Sequence, residues 1–332
     1  MNAPVRFAIL GFGHHAVRRL LPAFARSEKT QLVGMWRRDQ NAAKQNCAAY
    51  HIAQNFRTLE ELCGSAEVDA VFITSPDAMH RADTLLAVKH GKAVLCEKPV
   101  AMNAAEAREM EDAAKAAGVL YGVAQNFRYN RSLNWMREQI RAGKIGRPQL
   151  AAAEFAYPAE LAPRKWIMDP TLAAGGPIAD VGVHCIDALR YVLGEEVESV
   201  STLATKSRPQ DQVEATASLQ IEMTGGVIGN VTVSARAPYR TLIEITGSDG
   251  VLVAENGLTV DRPVDVVLRR AGEAIETTTL DNGDGYTRML DSFALAMRGG
   301  AAFAASGEDG VRNMAALDAA FRSWKTGRRE KL

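Results

Sequence analysis

Residue types able to do chemistry gather in a few short stretches of this chain. In Cys96-Glu97-Lys98-Pro99 an acid and an ammonium directly follow the apolar run Ala93 to Cys96. Proline disfavours helical geometry at the residue before it, so Lys98 is expected in an extended or turn conformation with its side chain able to reach a ligand. A second group is Asp180, His184 and Asp187. Gly176-Pro177 suits a helix start and Gly194 a helix stop, so Asp180 to Leu193 is expected to be helical with these three side chains on one face. A histidine flanked by carboxylates can serve as general acid or base; the neighbouring anions raise its pKa while burial lowers it, and the sign of the net shift stays open. The bland alternative is a helix stabilised by same-face pairs worth about 0.5 kcal/mol each. Asp180 and His184 offer two metal ligands and no nearby residue supplies a third, so no metal is expected.

A third stretch, Gly11-Phe12-Gly13-His14-His15-Ala16, follows the strand pattern Arg6 to Leu10 and opens a helical one. GxGxxA in that context is the dinucleotide fingerprint. Gly11 permits the tight turn, Gly13 lets the backbone approach a pyrophosphate, Ala16 lets helix and strand pack closely, and the helix dipole favours the phosphates. Two glycines at an ordinary strand-to-helix turn are the alternative. His14 and His15 either line the cofactor or face solvent. At the end of the next strand the chain reads Met35-Trp36-Arg37-Arg38, with Asp39 two residues beyond the position where an acid would accept from ribose hydroxyls. Arginines pair with a 2′-phosphate, so NADP(H) is favoured over NAD(H), with Arg37 and Arg38 as its contacts. Two arginines on a solvated turn, with Asp39 neutralising one or capping the next helix, remain the alternative.

These residues need elements to hold them. Short apolar runs at Arg6 to Leu10, Gln31 to Trp36, Ala70 to Thr74, Ala93 to Cys96 and Leu120 to Ala124 alternate with amphipathic stretches at Ala16 to Ser27, Met79 to His90 and Ala104 to Ala117. That alternation predicts a doubly wound parallel sheet, a Rossmann domain over 1–124. After Asn126 the pattern changes. A helical segment, Leu133 to Ala142, leads to an extended run, Gln149 to Tyr157. Strand-like runs then follow at Glu214 to Met223, Val227 to Ala235 and Thr241 to Thr246, the first two joined by Thr224-Gly225-Gly226. Residues 125–332 are therefore expected to form an α+β domain with a predominantly antiparallel open sheet, covered on one face by helices such as Tyr286 to Arg298 and Gly310 to Lys325. A sheet with its other face partly apolar commonly buries it against a second copy, which predicts a homodimer or homotetramer.

Composition narrows the class. The chain has 332 residues, 47% apolar and 23% charged, enough for two hydrophobic cores. Lys plus Arg and Asp plus Glu both total 39, so no overall field draws it to nucleic acid or to an anionic membrane. Cys47, Cys63, Cys96 and Cys185 are far apart, which argues against a disulfide framework and for a reducing compartment. No long apolar run suits a membrane span, and the start of the chain enters a strand pattern by Val5 without signal-peptide grammar, so the cytoplasm is the expected location.

With GxGxxA, the Ser75-Pro76-Asp77 turn with His80, and Glu97-Lys98-Pro99, followed in order by the stretch from Gly175 through Asp180 and His184 to Asp187, the chain resembles the Gfo/Idh/MocA family of glucose-fructose oxidoreductase, inositol dehydrogenase and MocA over nearly its whole length. The resemblance implies that Lys98, Asp180 and His184 surround the carbon that exchanges hydride with nicotinamide. By the same resemblance His184 takes or returns the substrate hydroxyl proton, Lys98 binds and polarises that oxygen, and Asp180 positions the substrate and the lysine or histidine. It further implies that Thr74, Ser75, Pro76 and His80 line the cofactor, that Glu97 contacts the nicotinamide ribose, and that Asn126, toward the cofactor, and Arg128, toward the substrate, lie at the domain junction. Asp77 departs from the family's asparagine and lacks the amide donor, which puts that contact in doubt. Arg164, Lys165 and Trp166 are candidates for gripping a polyol, the alternative being a core tryptophan beside exposed cations.

The resulting expectation is an NAD(P)-dependent dehydrogenase or reductase of a sugar, inositol-like polyol or related carbonyl compound. The alternatives are a redox enzyme of a non-sugar substrate such as a dihydrodiol or dicarbonyl, and a dinucleotide-binding sensor that catalyses nothing.

Overall fold

A computed structural model describes residues 3–332, which divide into two compact units. One gathers the residues up to Ala124 together with Tyr286–Val311, the other Gln125–Gly285 with Arg312–Leu332. In the first, β1 (Val5–Leu10), β2 (Thr30–Trp36), β3 (Gln54–Asn55), β4 (Ala70–Ile73), β5 (Ala93–Cys96) and β6 (Tyr121–Val123) form an all-parallel sheet in the order β3-β2-β1-β4-β5-β6. Strands β4 and β5 are buried at every residue, the signature of a sheet covered on both faces. Strand order reverses at β1, so the carboxyl ends of β1 and β4 flank a switch-point crevice.

The helices of this unit are α1 (Leu21–Arg26), α2 (Gln40–Tyr50), α3 (Leu59–Gly64), α4 (Asp77–Lys89) and α5 (Ala104–Ala117). A π-wound turn, Ala16–Leu20, runs directly into α1. Side-chain caps set several starts: Asp39 accepts from the Asn41 and Ala42 amides, Thr58 from Glu61 and Asn103 from Glu106. Helix α5 stops at Gly118, whose φ of 67° suits glycine. Two-residue β3 is too short to show a periodicity, and sequence patterning did not anticipate it.

The second unit opens with α6 (Arg131–Arg141), β7 (Pro148–Ala156) and α7 (Val183–Leu193). Strands β8 (Val197–Thr205), β9 (Thr216–Met223), β10 (Ile228–Ser234), β11 (Arg240–Gly247), β12 (Gly250–Glu255), β13 (Pro263–Arg270), β14 (Glu276–Asp281) and β15 (Glu330–Lys331) complete it. Their order, β14-β13-β12-β11-β7-β10-β9-β8-β15, is antiparallel at every pairing but one. The exception is β7 with β10. Consecutive β10 and β11 do not pair with each other, because β7 fills the place between them and runs parallel to one and antiparallel to the other. Alternating residues such as Ala153, Leu219, Val231 and Ile243 are buried. On the opposite face Leu150 and Ile228, partners in register, are 55% and 50% exposed.

Two helices follow, α8 (Gly285–Met297) and α9 (Gly307–Thr326). The expectation that 125–332 form one domain fails at residues 286–311, which cluster with the first unit. The cause is apolar packing. Phe293 lies 5.7 Å from Phe7 of β1 and 5.2 Å from Phe303, and Ser27 donates to Asp291 at 2.6 Å. The later part of α9 does belong with the antiparallel sheet, where Ser323 Oγ accepts from the Thr202 amide at 2.9 Å.

Candidate active site

In the first unit the glycine loop leaves β1 at the switch point. Gly11 has φ +89°, and a Cβ there would fall 2.5 Å from the Ser75 nitrogen, so only glycine allows the loop to lie against the end of β4. Thr74 Oγ1 donates to the Gly11 carbonyl at 2.9 Å, fastening the two segments. At Gly13 a Cβ would meet nothing nearer than the Gly11 oxygen, 3.7 Å away, which leaves the backbone open to a pyrophosphate. Phe12 is buried and His14 exposed. The loop therefore fits the dinucleotide that its sequence implies. At the end of β2, Arg37 is half-buried and Arg38 exposed, while the Asp39 carboxylate is engaged in capping α2.

The acid and ammonium after β5 sit at the same sheet edge. His15 and Glu97 share a hydrogen bond of 2.8 Å between Nε2 and Oε1, so a residue of the glycine loop holds the acid beside Lys98. Burial pushes the Glu97 carboxyl up, but the His15 imidazole and the Lys98 ammonium outweigh it and leave its pKa below the ordinary range. Lys98 itself is half-buried. His80 is enclosed, 1% exposed, with Nδ1 3.0 Å from the Pro99 carbonyl and Nε2 2.8 Å from the Ser75 carbonyl. The structure thus places it beneath the loops expected to line a cofactor rather than on their surface. The Ser75 hydroxyl donates to Asp83 at 2.6 Å, Pro76 is half-buried and Asp77 begins α4.

In the second unit Asp180 lies in a π-wound turn, Ile178–Gly182, that continues into α7, so the expected helix exists with a wider first turn. Glu214 anchors its start by accepting from the Gly176 and Ile178 amides at 3.0 and 2.8 Å. Tyr157, one residue past β7, donates its hydroxyl to Asp180 Oδ2. Arg164 Nη1 and Nη2 approach the two Asp180 oxygens at 3.5 and 3.4 Å. Burial, then the Asp180 carboxylate, push the Tyr157 pKa well up, so at neutral pH the phenol is a donor. His184 is 7% exposed, edge-on to Phe127 with centroids 4.5 Å apart and nearly parallel to Phe155 at 6.1 Å.

Other expected residues are placed differently. Arg128 is buried in a bidentate pair with Asp187, at 2.9 and 2.7 Å. Asn313 Nδ2 also donates to Asp187, at 2.8 Å, and Arg190 Nη1 lies 3.7 Å from it. Asp187 therefore shares a helix with His184 and serves a structural ion cluster. Lys165 is exposed and donates to the Glu160 carbonyl at 3.1 Å, and Trp166 is half-buried. Asn126 is buried, and its Nδ2 has no hydrogen-bond partner among the described residues. Tyr157, Phe127, Phe155 and Glu214 were not singled out from sequence. Tyr157 had one visible signal, a polar-tipped aromatic closing the extended run before Pro158.

Comparison with known proteins agrees with this anatomy. A family model described as an oxidoreductase family with an NAD-binding Rossmann fold matches residues 5–125, and a GFO/IDH/MocA C-terminal domain model matches residues 133–253. A 1,5-anhydro-D-fructose reductase of Ensifer adhaerens is 34% identical over 280 residues, 83% of each chain. A trans-1,2-dihydrobenzene-1,2-diol dehydrogenase of Sus scrofa is 31% identical over 71% of this chain and 68% of its own. In fold, the crystal structure of aldose-aldose oxidoreductase from Caulobacter crescentus superposes with a TM-score of 0.92 at 23% identity, covering 99% of this chain and 100% of that one.

Proposed function

Because the chain belongs to the Gfo/Idh/MocA family of oxidoreductases, we propose that it interconverts a hydroxyl and a carbonyl on a sugar or sugar-like cyclic polyol, using NADP(H) in preference to NAD(H). The observation that carries this reading is the His15–Glu97 hydrogen bond at 2.8 Å, which ties Lys98 to the dinucleotide loop through the neighbouring acid. The glycine loop, Thr74, Ser75 and Pro76 hold the cofactor, which supplies the two-electron redox chemistry when bound. Arg37 and Arg38, with Asp39 occupied at a helix start, favour the 2′-phosphate.

In this reading the Lys98 ammonium binds the substrate oxygen and polarises it. His184 accepts the hydroxyl proton in oxidation and returns it in reduction. Asp180, held by Tyr157 and Arg164, orients the substrate hydroxyls. The Phe127 and Phe155 rings against His184 also favour a second reading, in which the substrate is a less polar cyclic diol like that named for the porcine relative. Two copies are proposed to associate through the outer sheet face that carries Leu150 and Ile228, to be checked by light scattering.

A panel of aldoses, anhydrosugars, inositols and cyclic diols, followed by cofactor absorbance, identifies the substrate. Lys98→Ala and His184→Ala are each expected to lower kcat by about a hundredfold or more while NADPH binding persists. Turnover that survives both replacements would overturn the assignment.

A further inference from the structure

Gly176 is the point from which the turn carrying Asp180 hangs. Its carbonyl accepts from the amides of Ala179 and Asp180, at 3.1 and 3.0 Å. Its own amide donates to Glu214 Oε2 at 3.0 Å, and the Ile178 amide donates to Oε1 at 2.8 Å, from 38 and 36 positions away. Pro177, between them, has no amide hydrogen to satisfy. Backbone amides only donate and the carboxyl oxygens accept, so the direction of each bond from Glu214 through Gly176 to Asp180 is fixed. We infer that Glu214 is a positioning residue: through Gly176 and Ile178 it sets the turn that carries Asp180 and the start of the helix that carries His184, and so holds both side chains in their working geometry.

Glu214 has a firm base from which to do this. It is 1% exposed, and the next residue, Ala215, is built into the sheet: its amide donates to the Thr205 carbonyl at 2.7 Å and its carbonyl accepts from Ala235 at 2.9 Å. The approach leaves no room for a side chain on the clamped segment. A Cβ at Gly176 would collide with the Glu214 carbonyl oxygen, and one at Gly175 with the Phe321 ring of α9. The two glycines thus seat the turn between the sheet and α9. The carboxyl gains nothing from ion pairing, since among the described residues no cation pairs with it. Burial raises its pKa, while the amides of Ile178, Gly176 and Glu214 itself lower it, and burial prevails. An apolar side chain of similar volume would avoid that burial cost. What it could not supply is a pair of acceptors aimed at two amides of one turn.

The clamp is independent of the reaction proposed above, and only its effect on turnover rests on that reading. Hydrogen exchange of the intact chain, followed amide by amide in nitrogen-15 spectra, tests the clamp directly. In the unaltered protein the Gly176 and Ile178 amides are expected to be protected. Glu214→Gln keeps the size of the side chain but turns an NH2 donor toward one of them, which should then exchange at least about tenfold faster. The Gly194 amide, bonded to the Arg190 carbonyl at 2.9 Å at the far end of α7, should be unaffected. Unprotected Gly176 and Ile178 amides in the unaltered chain overturn the inference whatever the substrate, as does undiminished protection in Glu214→Gln. In turnover, kcat per NADPH-binding site is expected to fall by about tenfold or more, with substrate KM changed by less than about threefold and NADPH affinity within about twofold. A Glu214→Gln protein with a lower melting temperature but the parental kcat per site would reduce Glu214 to a structural role and remove the positioning one. Should that variant fail to fold, Glu214→Asp, which keeps both acceptors but shortens their reach by one methylene, carries the kinetic arm, and exchange in the unaltered chain decides the clamp.

Discussion

Asp187→Asn isolates the buried ion cluster beneath α7. The replacement keeps the shape of the side chain and removes the carboxylate that receives Arg128 at 2.9 and 2.7 Å and Asn313 at 2.8 Å. The Arg128 and Asp187 side chains are 5% and 3% exposed, so water screens neither charge. Removing one partner of such a pair costs about 3–5 kcal/mol, because the remaining charge keeps its desolvation penalty. That is a shift of about a hundred- to several thousandfold in the folding equilibrium, readable as a lower urea midpoint of the transition reporting the antiparallel unit. Arg128→Met should cost less, about 1–3 kcal/mol, since Asp187 keeps the Asn313 amide and Arg190 at 3.7 Å. The double replacement Arg128→Met with Asp187→Leu should recover much of the loss, apolar groups carrying no such penalty. The exposed pair Arg81–Glu109, at 2.6 Å, serves as control, and Glu109→Gln is expected to leave the midpoint in place. An Asp187→Asn protein as stable as the parent would refute the reasoning, as would a double variant no better than the worse single one.

Other perturbations test the nucleotide half. Gly11→Ala forces a Cβ to 2.5 Å from backbone at φ +89°, so it should lower the melting temperature and abolish NADPH binding together; Gly13→Ala, with 3.7 Å of clearance, should leave the melting temperature alone and weaken binding only. Fluorescence titration beside a melting curve separates the two, and intact NADPH affinity in both variants would contradict the cradle. Replacing Arg37 and Arg38 with alanine should reduce the NADP-to-NAD affinity ratio by at least about tenfold; an unaltered ratio by calorimetry rejects the phosphate assignment. Glu97 has a lowered folded pKa, so its contribution to stability is complete above the unfolded value of about 4.3 and is lost as pH falls through the lower folded value. Urea midpoints measured from neutral pH downward should show that acid-side loss, and His15→Ala, which removes the main opposing charge, should diminish it. A His15→Ala profile that matches the parent would detach Glu97 from this role.

The chain's own order of residues determined the nucleotide-binding half, the position of Glu97-Lys98-Pro99 after a buried strand, and the helix from Asp180 to Leu193. All of these rest on interactions within a few residues: apolar periodicity, a glycine able to take φ +89°, a side chain capping the next turn. Near neighbours in the chain decide such features before distant parts meet. Only the tertiary structure decided that β7 separates β10 from β11, and that α8 packs its Phe293 on Phe7 of the parallel sheet. It also decided that Arg128 finds Asp187 across 59 positions and Tyr157 finds Asp180 across 23. An arginine destined for a buried pair and one destined for a ligand look alike in sequence, and so do a tyrosine that holds a carboxylate and one that fills a core. Their roles follow from which charge and which surface the completed fold brings to them, and burial then makes those contacts strong.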